Sequence, residues 1–285
     1  MARFQSFWLG ESLPPCGKLC VKSFIDHGHE YDLYSYDSVA VPDGVRVFDA
    51  NEILPRSEIF FYRQGEGRGS VAGFTNMFRY RLLMLRGGWW VDTDVLCLSS
   101  KVPEGEIFME RESEDLICNA VIKFPVGHAF VQALYEKSRE EGKNLKWGQT
   151  GPGLITALAK RTGMLERTGL QEQAYPIHWE EASLPVTALG RSATYERTQS
   201  ASFLHLWNEI FRRKGSLALH DPPDGSFLAD LYKKHGVKRG FGGLYFRYKL
   251  RKWRIKARAF RTKFKSRLIR LPISIRRPKA SKSHH

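Results

Sequence analysis

Gly87-Gly88-Trp89-Trp90-Val91-Asp92-Thr93-Asp94-Val95 is the stretch on which the reading of this chain turns. A glycine pair can take the left-handed conformation that ends a helix. Trp89-Trp90-Val91 is short, aromatic and β-branched, which is the composition of a buried strand. In an extended chain Asp92 and Asp94 point to the same side, roughly 6–7 Å apart at about 3.3 Å per residue. Two carboxylates at the end of a buried strand make a poor core. They make a good seat for a hard divalent cation against phosphate oxygens. Just upstream, Phe74, Met77, Phe78, Leu82 and Leu85 recur at helical spacing and are expected to face the core. Asn76 and Arg79 share a different face of that helix.

Working outward, Ser6-Phe7-Trp8 reads as a first strand, Cys16 to Phe24 as a crossover helix, Tyr31 to Asp37 as a second strand and Val45 to Phe48 as a third. That alternation is what an α/β sheet with parallel strands requires. Ligands of open α/β sheets sit beyond the carboxyl ends of the strands. Trp8 stands at such an end and can lay its π-face on a nucleobase. Further on, Cys118-Asn119-Ala120-Val121-Ile122 reads as another strand. Thr150-Gly151-Pro152-Gly153-Leu154 reads as a turn opening a helix, whose backbone N–H groups could face an anionic or hydroxyl-rich ligand. Phe203-Leu204-His205-Leu206-Trp207-Asn208 places a histidine at the end of a short apolar strand.

Together these segments resemble the DxD sugar-nucleotide region of retaining glycosyltransferases. The likeness is to bacterial capsule and Golgi mannosyl- or galactosyltransferases and to the glucosylating clostridial toxins. Those families read Ser-Asp-x-x-Arg, a short spacer, then Gly-Gly-x-Tyr-x-Asp-x-Asp. Arg79, the glycine pair, Asp92 and Asp94 match; Asn76 stands where the family has an acid, and Trp90 where it has Tyr. The first strand, the Asn-Asn-Ala strand (here Cys118-Asn119-Ala120), the Thr-Gly-Pro turn and the His-x-Trp segment extend the resemblance along the chain.

The resemblance implies a GT-A (Rossmann-like) α/β fold and transfer of a hexose from a nucleoside diphosphate sugar to a glycan or lipid-linked hydroxyl, with retention. It favours a UDP-sugar over a GDP-sugar. Asp92, Asp94 and His205 would hold Mn²⁺ or Mg²⁺, and neutral imidazole is an acceptable ligand for Mn²⁺ beside carboxylates. Arg79 would bind the diphosphate or ribose, Asn76 and Asn119 the sugar hydroxyls, and Trp8 the base. Trp90 is read as core. No residue presents itself as a nucleophile, so front-face attack by the acceptor is the expected course, with the leaving phosphate taking the proton.

Composition agrees. With 285 residues, 42% hydrophobic and 13% aromatic, the chain can bury one large core, or a core with a small appendage. No apolar run reaches the ~20 residues of a membrane span, and Met-Ala-Arg-Phe-Gln lacks the pattern of a signal peptide. Those readings suggest a bacterial-style enzyme facing the cytosol. Cys16, Cys20, Cys97 and Cys118 show no metal spacing and are expected as thiols. His284 and His285 close the chain and are set aside.

Charge is unevenly spread: 18 of the 45 Lys and Arg, and no Asp or Glu, lie from Lys238 onward, so the body has 27 basic against 30 acidic residues. In that tail Phe246, Leu250, Trp253, Ala257, Phe260, Phe264, Leu268 and Leu271 recur at three- and four-residue steps. Wound as a helix they would form an apolar stripe flanked by cations, suited to an anionic membrane interface. Nucleic acid would need the charge but not the Phe and Trp face. The expected organisation is a catalytic domain over 1–237, with 1–100 on the nucleotide-sugar side and 101–237 on the acceptor side. A membrane-associating tail over 238–285 would hold it peripherally at the inner face of the plasma membrane.

Two other classes fit the chain less well. An Asp-x-Asp phosphatase of the haloacid dehalogenase type would carry Thr or Val where Leu96 stands, and a later Gly-Asp or Asp-Asp, which the chain lacks. A non-catalytic membrane- or nucleic-acid-binding protein on a degenerate transferase body is disfavoured by intact Arg79, Asp92 and Asp94.

Overall fold

The computed structural model describes residues 1–142 and 144–240. The amphipathic stripe of the tail therefore lies outside the described residues. Only its start is inside, where Arg239 donates to the Pro222 carbonyl at 2.9 Å and pairs with Asp224 at 2.9 Å.

The first half winds as strand β1 (Arg3–Trp8), helix α1 (Pro15–Asp26), β2 (Glu30–Ser35), β3 (Val45–Asp49), helix α2 (Ala72–Arg86) and β4 (Gly88–Val91). After it come β5 (Val95–Cys97), β6 (Phe108–Ser113), β7 (Leu116–Phe124), α3 (Ala129–Glu140), α4 (Pro152–Thr162) and β8 (Gly169–Leu170). Helix α5 (Arg191–Thr198), β9 (Phe203–His205), α6 (Asn208–Arg213) and α7 (Phe227–Lys234) follow. The main sheet has seven strands in the order β3-β2-β1-β4-β7-β6-β8, and β5 pairs with β9 in a separate two-stranded sheet. Within the main sheet only β7 runs against its neighbours, pairing antiparallel with β4 and β6. The expected α/β architecture, with a mostly parallel sheet, holds. The parallel strands β3, β2, β1 and β4 end together, and both halves of the chain contribute to one sheet.

Strand periodicity explains why two indoles sit side by side in sequence. Consecutive side chains point to opposite faces: Trp89 packs with Phe4, Phe24 and Phe203 on the α1 face, and Trp90 packs with Phe7, Phe78 and Phe124 on the face covered by α2, α3 and α4. On α2, Phe74, Met77, Phe78 and Leu82 are buried as their spacing predicts. Leu85, in the last turn of the helix, is not; it is 38% exposed. Gly87 ends the helix at φ +61°, donating its N–H to the Leu83 carbonyl at 2.9 Å. A side chain could not stand there, since a Cβ would lie 2.6 Å from the Val126 nitrogen.

Strand β2 ends at Ser35, so Tyr36 and Asp37 fall in the loop beyond it. The larger correction concerns the two carboxylates. Asp92, Thr93 and Asp94 lie between β4 and β5, in a tight turn closed by the Val95 N–H on the Asp92 carbonyl at 3.0 Å. A turn, rather than extended chain, therefore presents them.

Candidate active site

At the end of β4 the Asp92 N–H donates to the Ala120 carbonyl on β7 (2.8 Å), which fixes the backbone from which the turn departs. Two residues later β5 begins and pairs with β9, setting Val95 opposite His205. That pairing is why a residue more than a hundred positions away stands beside Asp94. His205 Nε2 lies 3.3 Å from Asp94 Oδ2, and the same oxygen accepts the Asn208 N–H at 2.9 Å. Trp207, in the left-handed region at φ +54°, makes the bend that turns Asn208 toward Asp94. Its indole donates to the Ile177 carbonyl at 2.9 Å. One ligand atom from each of Asp92, Asp94 and His205 can be chosen so that all lie within 4.8 Å of one another.

Behind Asp92 stands a buried polar network. Arg79 is 3% exposed and its guanidinium bonds Asp92 Oδ1, while the Trp90 indole donates to that same oxygen at 2.8 Å. The guanidinium also lies over the Trp90 ring, 4.9 Å from its centroid. Both contacts fall on Oδ1, so Oδ2 of Asp92 has no protein partner among the described residues. Arg79 Nη1 donates to Asn76 Oδ1 at 3.1 Å, and Asn119 donates to that oxygen at 3.0 Å. Asn119 also donates to the Tyr80 hydroxyl at 2.9 Å, and Tyr80 passes its proton to the Thr150 carbonyl at 3.0 Å. Asn119 thus spends its amide N–H groups on the protein. Its Oδ1 has no protein partner among the described residues.

The Thr150-Gly151-Pro152 turn serves this network instead of offering a bare helix start. Thr150 Oγ1 accepts from Asn76 Nδ2 at 3.4 Å, and the Gly151 and Gly153 N–H groups both donate to the Gly148 carbonyl. Gly151 is needed for closeness, because a Cβ there would lie 2.9 Å from Asn76 Nδ2.

Electrostatics follow from the packing. Burial works against charge on His205, but Asp94 outweighs it and raises the imidazole pKa above its ordinary value. Burial would raise Asp94; His205 and the Asn208 N–H outweigh it and hold the carboxyl below its ordinary value. Burial pushes Asp92 up, Arg79 pulls it down and Asp94 pushes it up again, with a net upward shift. A closely spaced acid pair splits in this way.

A cleft of about 600 Å³ opens over these groups. Trp8 lines it, half-buried at the carboxyl end of β1, with its indole N–H buried and without an acceptor among the described residues. So every residue expected at the site (Trp8, Asn76, Arg79, Asp92, Asp94, Asn119 and His205) lines one cleft. Sequence reasoning missed several companions. Trp90 is core, as expected, yet it also grips Asp92. Tyr80 and Thr150 lock Asn119 and Asn76. On the far lip Arg213 pairs with Glu66 at 2.9 Å and lies over Trp147, 4.5 Å from the ring centroid. Glu112, on β6, lines the cleft as well, with its pKa pushed up by burial. Nothing in its local sequence marks it. Among the described residues no helix is long and apolar enough to cross a membrane.

No protein-family model matches the chain. Among solved structures, the glycosyltransferase PaToxG is 10% identical with a TM-score of 0.42, over 85% of this chain and 87% of that one. The bifunctional glycosyltransferase WbbM is 14% identical with a TM-score of 0.42, over 81% of this chain and 51% of that one. The glycosyltransferase GlyE of Streptococcus pneumoniae TIGR4, in its apo form, is 11% identical with a TM-score of 0.45, over 87% of this chain and 63% of that one. The chain thus spans about half the length of WbbM and under two thirds of GlyE. All three of these similar structures are glycosyltransferases.

Proposed function

We propose that this protein is a metal-dependent hexosyltransferase, moving a sugar from a nucleoside diphosphate donor, UDP favoured over GDP, to a hydroxyl of a glycan or lipid-linked acceptor. The observation that carries the reading is the convergence of Asp92, Asp94 and His205 within 4.8 Å, backed by buried Arg79, at the carboxyl ends of parallel strands. The donor set suits Mn²⁺ or Mg²⁺: two carboxylates and one imidazole, with neither Asp92 Oδ2 nor the buried His205 Nδ1 partnered among the described residues. A bound cation would supply Lewis-acid stabilisation of the departing diphosphate.

The chain's own groups do the rest. Arg79, held by Asp92, Asn76 and Trp90, sets a fixed positive charge at the floor of the cleft. Preorganised charge of this kind is the largest contribution in reactions that develop an anion. Trp8 offers a ring face for the base and an unpartnered N–H. Asn119 Oδ1 can accept from a sugar hydroxyl, whereas the Asn76 amide is taken up in aligning Arg79 and Asn119. Retention comes with the sequence resemblance, and a covalent glycosyl-enzyme would contradict the front-face course. In this division of labour residues 1–100 carry most of the donor side, and 101–237 carry the acceptor side while lending Asn119 and His205 to the donor. The basic tail from Lys238 brings the enzyme to an anionic membrane at the cytoplasmic face, at about 1 kcal/mol per cation near the surface. Failure to sediment with phosphatidylserine vesicles at low salt would remove the membrane role.

The test of the whole reading is a thermal-shift screen of UDP- and GDP-sugars with and without Mn²⁺. A ligand at a hundred times its Kd stabilises by about 2.7 kcal/mol, roughly 5–11 °C for a domain of this size. A shift that needs Mn²⁺ and disappears in Asp94→Ala supports the reading and names the base. Silence across the panel would favour a degenerate body carrying a binding tail.

A further inference from the structure

Glu112 is a buried acid that no Lys or Arg pairs with among the described residues; the favourable charges near it are the imidazoles of His205 and His178. It is 7% exposed and lines the same cleft as Asp92, Asn119 and His205. The side-chain donor beside it is the Cys118 thiol. A thiol is a weak donor. A carboxylate taken out of water with so little in return is unfavourable to the fold. The charged groups on the cleft floor answer the opposite demand: Arg79 supplies positive charge, and Asp92, Asp94 and His205 would hold the cation that faces the negative diphosphate.

Glycosyl transfer develops two charges. The leaving phosphate gains negative charge, and the sugar passes through an oxocarbenium-like state in which the anomeric carbon and ring oxygen become positive. A cleft complementary to that transition state needs a fixed negative group facing the sugar as well as cations facing the phosphate. Among the lining acids Glu112 has no Lys or Arg partner among the described residues and is outside the group that converges to hold a cation, touching it only through the field of His205. The other acids on the cleft wall are engaged: Glu66 pairs with Arg213, and Glu209 pairs with Arg212 and Arg213.

We propose that Glu112 is a catalytic residue that stabilises the positive charge developing on the donor sugar, on the far side of the sugar from the diphosphate. The inference rests on the hexosyltransferase reading above and deepens it. The bond from the anomeric carbon to the phosphate oxygen breaks, and its electron pair leaves with the nucleoside diphosphate. A new bond forms from the acceptor or water oxygen to the anomeric carbon, and the proton of that oxygen passes to the departing phosphate. Glu112 stays ionised throughout and forms no covalent bond.

Hydrolysis of the donor by water isolates this role, because it needs no acceptor. The probes are UDP-glucose, UDP-galactose, UDP-N-acetylglucosamine and GDP-mannose with Mn²⁺, read by release of the nucleoside diphosphate, on the full chain. In Glu112→Gln, which keeps the size and removes the charge, kcat is expected to fall a hundredfold or more. The donor KM and the Mn²⁺-dependent thermal shift should stay within threefold of the wild type. Glu112→Asp should recover part of that kcat. Wild-type kcat in Glu112→Gln would overturn the proposal, as would a loss confined to KM, or a glycosyl-Glu112 adduct detected by mass spectrometry. If the wild type neither binds nor hydrolyses any of the four donors, the transferase reading itself fails, a result distinct from a selective loss in the variant.

Discussion

Replacing Asp92 by Asn leaves a neutral acceptor facing Arg79, while replacing Arg79 by Met leaves a carboxylate with the Trp90 N–H and solvent. The two substitutions break one ion pair from its two ends, and the structure makes the ends unequal. The Arg79 side chain is 3% exposed, whereas that of Asp92 is 28% exposed and open to the cleft. Stranding a fully buried charge costs about 3–5 kcal/mol. The Asn at 92 retains neutral hydrogen bonds worth about 1 kcal/mol, so Asp92→Asn is expected to destabilise by about 2–4 kcal/mol. Stranded Asp92 can rehydrate and Met fills much of the vacated volume, so Arg79→Met should cost only about 1 kcal/mol, the size of the lost cation–π and hydrogen-bond contributions. The double variant strands neither charge and should be more stable than the sum of the two losses by about 1–2 kcal/mol. The assay is urea denaturation of all four proteins in EDTA, so that lost cation binding does not enter. Arg79→Met costing more than Asp92→Asn, or additive losses in the double variant, would refute the argument from burial.

Three further outcomes follow from the same geometry. Trp8→Ala should weaken UDP binding by about 1–3 kcal/mol, the usual worth of a base-stacking aromatic, measured by calorimetry with Mn²⁺ present; unchanged affinity would remove Trp8 from the base site. Gly87→Ala forces a side chain to φ +61° and against the Val126 backbone at 2.6 Å, so it should destabilise by more than the ~1 kcal/mol of an ordinary Gly→Ala misfit, and a thermal midpoint equal to wild type would contradict it. In metal-free protein the Asp94–His205 pair makes stability depend on pH. Asp94 is lowered from 3.8, so its contribution is present above that value and lost as pH falls through the folded pKa. His205 is raised from 6.5, so its contribution is full below that value and lost as pH rises through the folded pKa. The stability gap between wild type and His205→Asn should therefore be widest at about pH 5–6 and shrink toward about pH 9; a gap that stays flat or widens with pH would contradict the pairing.

The legible part of this protein was the part governed by local pattern. Strands β1 to β4 and helix α2 follow from periodicity and from the glycine pair, and the resemblance carried along the chain picked out seven residues that the fold brings to one cleft. Local pattern stopped at the geometry of the two carboxylates, since the turn closed by Val95 depends on β5 leaving the main sheet to pair with β9. Leu85 fits the helical stripe but stands in the last turn of α2 and stays exposed. Trp90 could be read as core from its strand, but its grip on Asp92 needs the indole edge and the turn to meet, which no spacing rule encodes. Glu112 was invisible for a plainer reason: in Glu110-Arg111-Glu112-Ser113-Glu114 alternation reads as a solvated strand edge, and only pairing with β7 shows which acids turn inward. Glu110 is buried as well, but its carboxylate is consumed by the backbone N–H groups of Glu172, Gln173 and Ala174.

The central claim is that Asp92, Asp94 and His205 form one cation site that a nucleoside diphosphate completes. Titrating Mn²⁺ into the protein in the presence of UDP, with free Mn²⁺ followed by electron paramagnetic resonance, tests it without any need for an acceptor. The account predicts one bound ion per chain in the wild type, with affinity lowered at least tenfold in His205→Ala and binding abolished in Asp94→Ala. Stoichiometric binding that survives both substitutions would place the cation elsewhere and contradict the account.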